Sequence, residues 1–167
     1  MLPRIEVELD RLVDQGVLEP VASARWETLI VTPVKYNGDV HICADYKCTL
    51  NKALQDHVYP VLVVSHVFAA LVGARVFNKL DLAQAYLQLL ADAATAKAQT
   101  IANHKGACKI HQLQFGVSDA LGIFQSFMHS LLKGIPRVQP FLDDVLIAAL
   151  DASTFADRLR AVLQRFN

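Results

Sequence analysis

Three carboxylates stand apart from the other acids of this sequence. Asp81 follows the run Phe77-Asn78-Lys79-Leu80. Asp143-Asp144 lie between the apolar runs Phe141-Leu142 and Val145-Leu146-Ile147. Carboxylates set among apolar residues are costly unless they are paired, hydrogen-bonded or bound to a metal. Three gathered at one spot would repel one another, and a pair of Mg²⁺ ions removes that repulsion. Hard divalent cations take oxygen ligands, and two of them can clamp the attacking and leaving oxygens of a phosphoryl transfer. The same residues also read as ordinary structure. An Asp-Asp pair between strands is a plain turn, and a strand-end Asp often caps the following helix. The pattern alone leaves both readings open.

The elements that would position these acids follow from apolar spacing. Ile5, Leu9, Leu12 and Val13 recur at helical intervals, with Pro3 before them and Gly16 as a stop. Leu29–Thr32 and Val40–Cys43 read as strands around a Tyr36-Asn37-Gly38-Asp39 hairpin turn. Ser65–Leu71 reads as a short helix closed by Gly73, and Val76–Leu82 as a strand ending near Asp81. Leu82–Thr100 is rich in Ala, Leu and Gln, so propensity favours one long helix, against a competing short strand at Leu87–Leu90. Ser118 is a fair cap for a helix through Phe124, Phe127 and Leu131 to Gly134. Phe141–Ile147 reads as a hairpin joined at the acidic pair, and a last helix starts near Ser153.

Composition narrows the class. The chain has 167 residues, 53% hydrophobic and 19% charged, with 16 basic and 16 acidic side chains and zero net charge. That excludes a disordered chain and a histone-like polycation, and predicts poor solubility. No apolar run approaches the ~20 residues of a membrane span, and the first residues are no signal peptide. Cys43, Cys48 and Cys108 are an odd count without tight spacing, which argues against a disulfide framework or a four-ligand zinc site. They read as mostly core thiols of an intracellular protein. Charge is uneven along the chain. Lys97, Lys105, Lys109, His104 and His111 fall between Leu90 and Gln114 with Asp92 as the only acid, whereas the first stretch carries Glu6, Glu8, Asp10, Asp14, Glu19 and Glu27. The middle could therefore face phosphates, or be a solvated hairpin with ordinary lysines.

An ordered set of segments resembles the reverse transcriptases of gypsy-type LTR retrotransposons over nearly the whole chain. Glu8-Leu9-Asp10-Arg11-Leu12 through Gly16-Val17-Leu18-Glu19-Pro20 is similar to the opening helix and turn of that family. Val40-His41-Ile42-Cys43-Ala44-Asp45-Tyr46-Lys47, Leu50-Asn51 and Tyr59-Pro60 follow. Lys79-Leu80-Asp81-Leu82-Ala83-Gln84-Ala85-Tyr86 resembles the first catalytic motif. His104-Lys105-Gly106, Phe115-Gly116-Val117 and Ile123-Phe124-Gln125 match the middle of the palm, and Phe141-Leu142-Asp143-Asp144 stands where the family has Tyr-x-Asp-Asp.

The resemblance implies an α+β fold with fingers in about residues 1–75 and palm in about 76–167, the latter carrying a fingers insertion. The palm would be an antiparallel sheet backed by helices. It implies that the thumb, connection and ribonuclease H domains of the family are absent from these residues. It implies RNA-directed DNA polymerase activity, with a primer 3′-hydroxyl attacking the α-phosphate of a dNTP on an RNA or DNA template. Asp81, Asp143 and Asp144 would bind two Mg²⁺ or Mn²⁺ ions, Asp81 and Asp143 the more directly. Tyr86 would be the gate against a ribose 2′-hydroxyl, Lys35 would reach the triphosphate, and Phe115 and Gly116 would flank the nucleotide. Asp45, Lys47 and Lys105 would lie on the template side. Partners would include the remaining polyprotein domains, and the location would be cytoplasmic or nuclear, with no membrane.

The sequence departs from the family at several places. His41 replaces an Arg that contacts the triphosphate, and His is shorter and mostly neutral at pH 7. Gln114 stands in place of Pro, Phe141 lacks the hydroxyl of Tyr, and Val61-Leu62-Val63 replaces Leu-Pro-Arg. Asp119, Leu121 and Gly122 fall where Ser, Pro and Ala are usual. These departures bear on nucleotide binding more than on metal binding. They support an alternative, a catalytically inactive retroelement fragment acting as a nucleic-acid or protein binding module.

Overall fold

The computed structural model describes residues 2–34, 36, 38, 40–54 and 64–167, leaving aside the side chains of His66 and Ala70. The predicted Asn37 turn residue and the Tyr59-Pro60 motif lie outside the described residues. In chain order the elements are α1 (Leu2–Asp14), β1 (Leu18–Val21), β2 (Thr28–Val31), β3 (Cys43–Ala44), α2 (Leu50–Ala53), α3 (Val64–Leu71) and β4 (Val76–Asp81). They continue with α4 (Ala93–Ala98), β5 (Ile101–Asn103), β6 (Gly106–Ile110), α5 (Ala120–Leu131), β7 (Val138–Phe141), β8 (Asp144–Ala149) and α6 (Ala152–Arg165). The chain divides into two compact units. One comprises Met1–Asp56 with Tyr86–Ala120, the other His57–Ala85 with Leu121–Asn167.

The first unit is built on a five-stranded sheet ordered β1-β6-β5-β2-β3. Only the β2–β5 pair is parallel. α1 buries Leu9 and Leu12, joined in one core by Leu18, Tyr46, Leu50, Ile101 and Ile110. Each such side chain contributes roughly 1.5–3 kcal/mol by leaving water. α1 ends as its apolar spacing and Gly16 predict. Gly16 sits at φ 70°, its N–H donates to Val13 O, and the Val17 N–H donates to Leu12 O. That satisfies two carbonyls of the last turn.

The basic middle segment is a hairpin, β5 and β6, and its cations face the acids of the first stretch. Lys105 Nζ lies 2.6 Å from Asp10 and His104 Nε2 3.3 Å from Glu6. Lys109 and His111 both meet Glu19, at 3.6 and 2.7 Å. The hydrogen bond from His111, then the charge of Lys109, hold the Glu19 carboxyl below its usual range. The charge asymmetry of the sequence is thus largely cancelled inside this unit.

The second unit carries the antiparallel sheet β4-β8-β7. β8 is central, and Val145, Ile147, Ala148 and Ala149 are all buried. α6 packs on β8 and β4, and α3 on β7. Helices on a sheet give the α+β architecture that the resemblance implies.

Several sequence expectations are corrected. Leu82–Thr100 is not one helix. A 3₁₀ turn covers Ala85–Gln88, Leu90 makes a single bridge to Gln112, and α4 begins only at Ala93. Asp92 starts it by accepting from the Thr95 N–H at 2.7 Å, a local cap that outweighs the propensity of the preceding residues. The Leu29–Thr32/Val40–Cys43 hairpin shifts. β2 pairs Ile30 and Val31 with Ala44 and Cys43, while Val40 only bridges Val34. α5 begins at Ala120 rather than at Ser118, whose N–H donates to Asn51 Oδ1. α6 does start where expected, at Ala152 beside Ser153, with Asp151 as its cap. Cys108 is buried and Cys43 half-buried, but Cys48 is exposed, so the core reading fails for that thiol.

Candidate active site

Register brings two of the three singled-out carboxylates together. In the β4–β8 ladder Asp81 lies directly opposite Asp144. Directly opposed residues of an antiparallel pair have Cβ atoms roughly 4.5–5.5 Å apart on one face. Asp143 occupies the turn just before β8, and its carbonyl accepts from the Leu82 N–H at 2.9 Å. This bond ties the end of the Asp81 strand to the Asp-Asp turn. Asp81 and Asp143 are exposed and Asp144 is half-buried. The desolvation cost expected for all three therefore falls mainly on Asp144.

Lys79 completes this corner. It lies two residues before Asp81 and so on the same face of β4. Its Nζ sits 3.0 Å from Asp144 Oδ2. The hydrogen bond and charge of Asp144, with smaller contributions from Asp81 and Asp143, raise the Lys79 pKa above 10.5. The other oxygen, Asp144 Oδ1, is buried with no hydrogen-bond partner among the described residues. A buried, unpaired carboxylate oxygen opposite a second carboxylate suits a hard divalent cation in donor type. Among the described residues, though, no group of three or more His, Cys, Asp or Glu is arranged to hold a metal. Lys79 is the cation that meets Asp144.

The turn itself is strained and clamped. Phe141 pairs with Asp144, which leaves Leu142-Asp143 as a two-residue loop. Such loops favour positive φ, and Leu142 adopts φ 57°, a conformation costly for a residue with a Cβ. Gln125 of α5 is 1% exposed and holds both sides. Its Oε1 accepts from the Leu142 N–H at 3.1 Å, and its Nε2 donates to Pro140 O at 2.8 Å. The sequence reading gave no role to Lys79 or Gln125. For Lys79 the i, i+2 spacing to Asp81 was the available signal. Gln125 stood in the matched segment Ile123-Phe124-Gln125, but its role stayed hidden because its partners are backbone atoms 15 and 17 residues on.

The residues expected around the nucleotide belong to the first unit, and several of them meet there. The rings of Tyr86 and Phe115 stand edge to face, with centroids 4.6 Å apart. His41 lies edge-on to Phe115 at 6.2 Å. Gly116 has φ 88°, and a Cβ there would come within 3.4 Å of Ala44 O. Asn51 holds this segment, donating to Gly116 O at 2.7 Å and accepting from the Ser118 N–H at 3.0 Å. At the position where the family has Pro, the Gln114 N–H donates to Oε1 of buried Gln99, a bond that proline could not make. Asp45 and Lys47 are exposed on either side of buried Tyr46. Lys105 is engaged by Asp10. Lys35 lies outside the described residues.

No family model matches the chain. An uncharacterised protein of Caenorhabditis elegans, K02A2.6, is 34% identical over 167 residues, covering 99% of this chain and 13% of that protein. The Transposon Tf2-3 polyprotein of Schizosaccharomyces pombe is 24% identical over 160 residues, covering 95% of this chain and 12% of the polyprotein. Among solved structures, a mutant prototype foamy virus protease-reverse transcriptase superposes with a TM-score of 0.88 at 23% identity, over 98% of this chain and 22% of that one. A foamy viral protease-reverse transcriptase in complex with an RNA/DNA hybrid gives 0.87 at 20% identity, with the same coverage of 98% and 22%. The chain is thus similar to a short stretch of a retrotransposon polyprotein, and it has the α+β fold of the matching part of a protease-reverse transcriptase.

Proposed function

We propose that the chain is the fingers and palm part of a gypsy-type retrotransposon reverse transcriptase, an RNA-directed DNA polymerase. The observation that carries this reading is the pairing of Asp81 with Asp144 across β4 and β8, with Asp143 in the adjoining turn. The likeness to the Tf2-3 polyprotein and to the foamy virus fold supports it. On this reading about residues 1–75 are mostly fingers and about 76–167 mostly palm, with a fingers insertion. The partners are a primed RNA or DNA template, a dNTP and the remaining polyprotein domains. The site of action is the cytoplasm or nucleus.

Asp81, Asp143 and Asp144 would hold two Mg²⁺ or Mn²⁺ ions. When bound, such ions lower the pKa of a primer 3′-hydroxyl and neutralise the departing pyrophosphate. The chain's own residues do the positioning. Gln125 fixes the Asp-Asp turn, and Lys79, which bonds Asp144, would have to release it for that carboxylate to hold an ion. Tyr86, buttressed by Phe115, bars a ribose 2′-hydroxyl, and Gly116 keeps the backbone open beside the nucleotide. Lys35 reaches the triphosphate. Asp45 and Lys47 face the template, and Lys105 joins them only by leaving Asp10.

Primer extension on an RNA template with Mg²⁺ and with Mn²⁺ tests the reading, using folded, monodisperse chain beside the Asp143→Asn/Asp144→Asn double variant. Incorporation by the parent that falls by orders of magnitude in the variant is the expected result. No incorporation by demonstrably folded chain would overturn catalysis. It would favour the second reading, an inert retroelement fragment serving as a binding module. The absence of a three-acid metal cluster among the described residues and the His41 departure speak for that reading.

A further inference from the structure

We propose that a cleft of the first unit is a nucleotide-binding site for single-stranded nucleic acid, with a base stacked on Trp26 and its phosphates held by Arg25 and Lys97. The cleft has a volume of about 400 Å³ and is lined by Val21, Arg25, Trp26, Lys97, Thr100 and Lys109 among others, none of them acidic. This is the range in which small-ligand sites fall.

Two features make the cleft more than a basic surface. The first is charge that nothing else uses. Lys105, Lys109, His104 and His111 of the basic segment all face Asp10, Glu6 or Glu19. Arg25 and Lys97 have no such partner among the described residues, and both are exposed. The second is a fixed ring. Trp26 Nε1 donates to Ala98 O at 3.0 Å, which anchors the indole at the end of α4 while leaving Trp26 39% exposed. A pinned aromatic beside unpaired cations suits a base and its phosphate together, because base stacking tolerates any sequence and the cations follow the backbone. A bare anion would need only the cations, and an apolar ligand only the ring. None of these residues belongs to the carboxylate corner, so the site stands whether or not the chain is a polymerase.

Trp26 is the chain's only tryptophan, so its emission reports on this cleft directly. Oligothymidylate titrated into the full chain is expected to quench that emission saturably. The log–log salt dependence of binding is expected to lose about 0.7 in slope in Arg25→Glu and again in Lys97→Glu, the contribution of one phosphate contact to a single strand. Circular dichroism checks that the variants remain folded. Thymidine triphosphate distinguishes the two sources of this chemistry. Equal quenching by it upholds the cleft as a site for a free nucleotide, and quenching by the strand alone upholds it as a site for a strand. No saturable quenching would overturn the proposal. So would equal binding by both charge variants, or the same response to polyglutamate as to the oligonucleotide.

Discussion

Asp144 divides its two oxygens between opposite fates: one meets Lys79 at 3.0 Å, and the other is buried without a partner among the described residues. Lys79 is thus an internal counter-cation in the place where a divalent ion would have to come. Lys79→Met is expected to tighten Mn²⁺ binding several-fold, because the carboxylates lose their resident positive charge and the ion no longer has to displace it. Electron paramagnetic resonance of free Mn²⁺ reads this directly. An unchanged affinity in a folded variant would mean that Lys79 does not compete for Asp144. Gln125 acts on the same corner through backbone atoms alone. Gln125→Leu keeps the side chain's bulk but leaves the Pro140 carbonyl and the Leu142 N–H without their partner. Each unsatisfied buried group costs about 1–3 kcal/mol, so urea denaturation should show a loss of that order.

The elements that came through most clearly from sequence are those whose signals are local. α1 has its apolar stripe and its Gly16 stop, and the β7–β8 hairpin has two apolar runs around Asp143-Asp144. The stretch from Leu82 to Thr100 was opaque because its Ala-rich composition favours helix, while its structure is set by the Leu90–Gln112 bridge and the Asp92 cap. The carboxylate corner was half legible. Residue types singled out Asp81, Asp143 and Asp144, but which two face each other depends on a ladder register between residues over sixty positions apart. α6 offers a test at this scale. Asp151 accepts from the Thr154 backbone N–H, Ser153 Oγ and Thr154 Oγ1. These bonds, the Thr154 backbone N–H foremost, lower its pKa from 3.8 to about 2. A carboxyl whose folded pKa is depressed stabilises the fold above its unfolded value, and that contribution is lost as pH falls through the folded value. The melting temperature of the parent should therefore exceed that of Asp151→Ala near neutral pH. The gap should narrow as pH drops from about 4 toward about 2. A gap independent of pH would mean that the cap acts without its charge.

At the scale of the whole molecule, zero net charge meets exposed apolar surface. Phe68 within α3 and Val72 just after it are 66% and 70% exposed, and Phe77 on β4 is 57% exposed. β4 is also an edge strand of its sheet, and exposed edges with apolar side chains invite pairing between chains. Net charge near zero removes the repulsion that would otherwise keep molecules apart. Solubility is therefore expected to be lowest near neutral pH, where the positive and negative charges balance, and to rise as acid gives the chain a net positive charge. Phe77→Lys addresses both causes at once. It puts a charge on the edge strand and replaces a ring already facing water, so the cost to folding should stay within about 0.5 kcal/mol, as for other surface changes. Light scattering against concentration at neutral pH should show the variant monodisperse where the parent associates. The melting temperature measured alongside should stay nearly unchanged. Association that persists in a folded Phe77→Lys chain would move the cause to α3, where Phe68→Lys is the corresponding substitution.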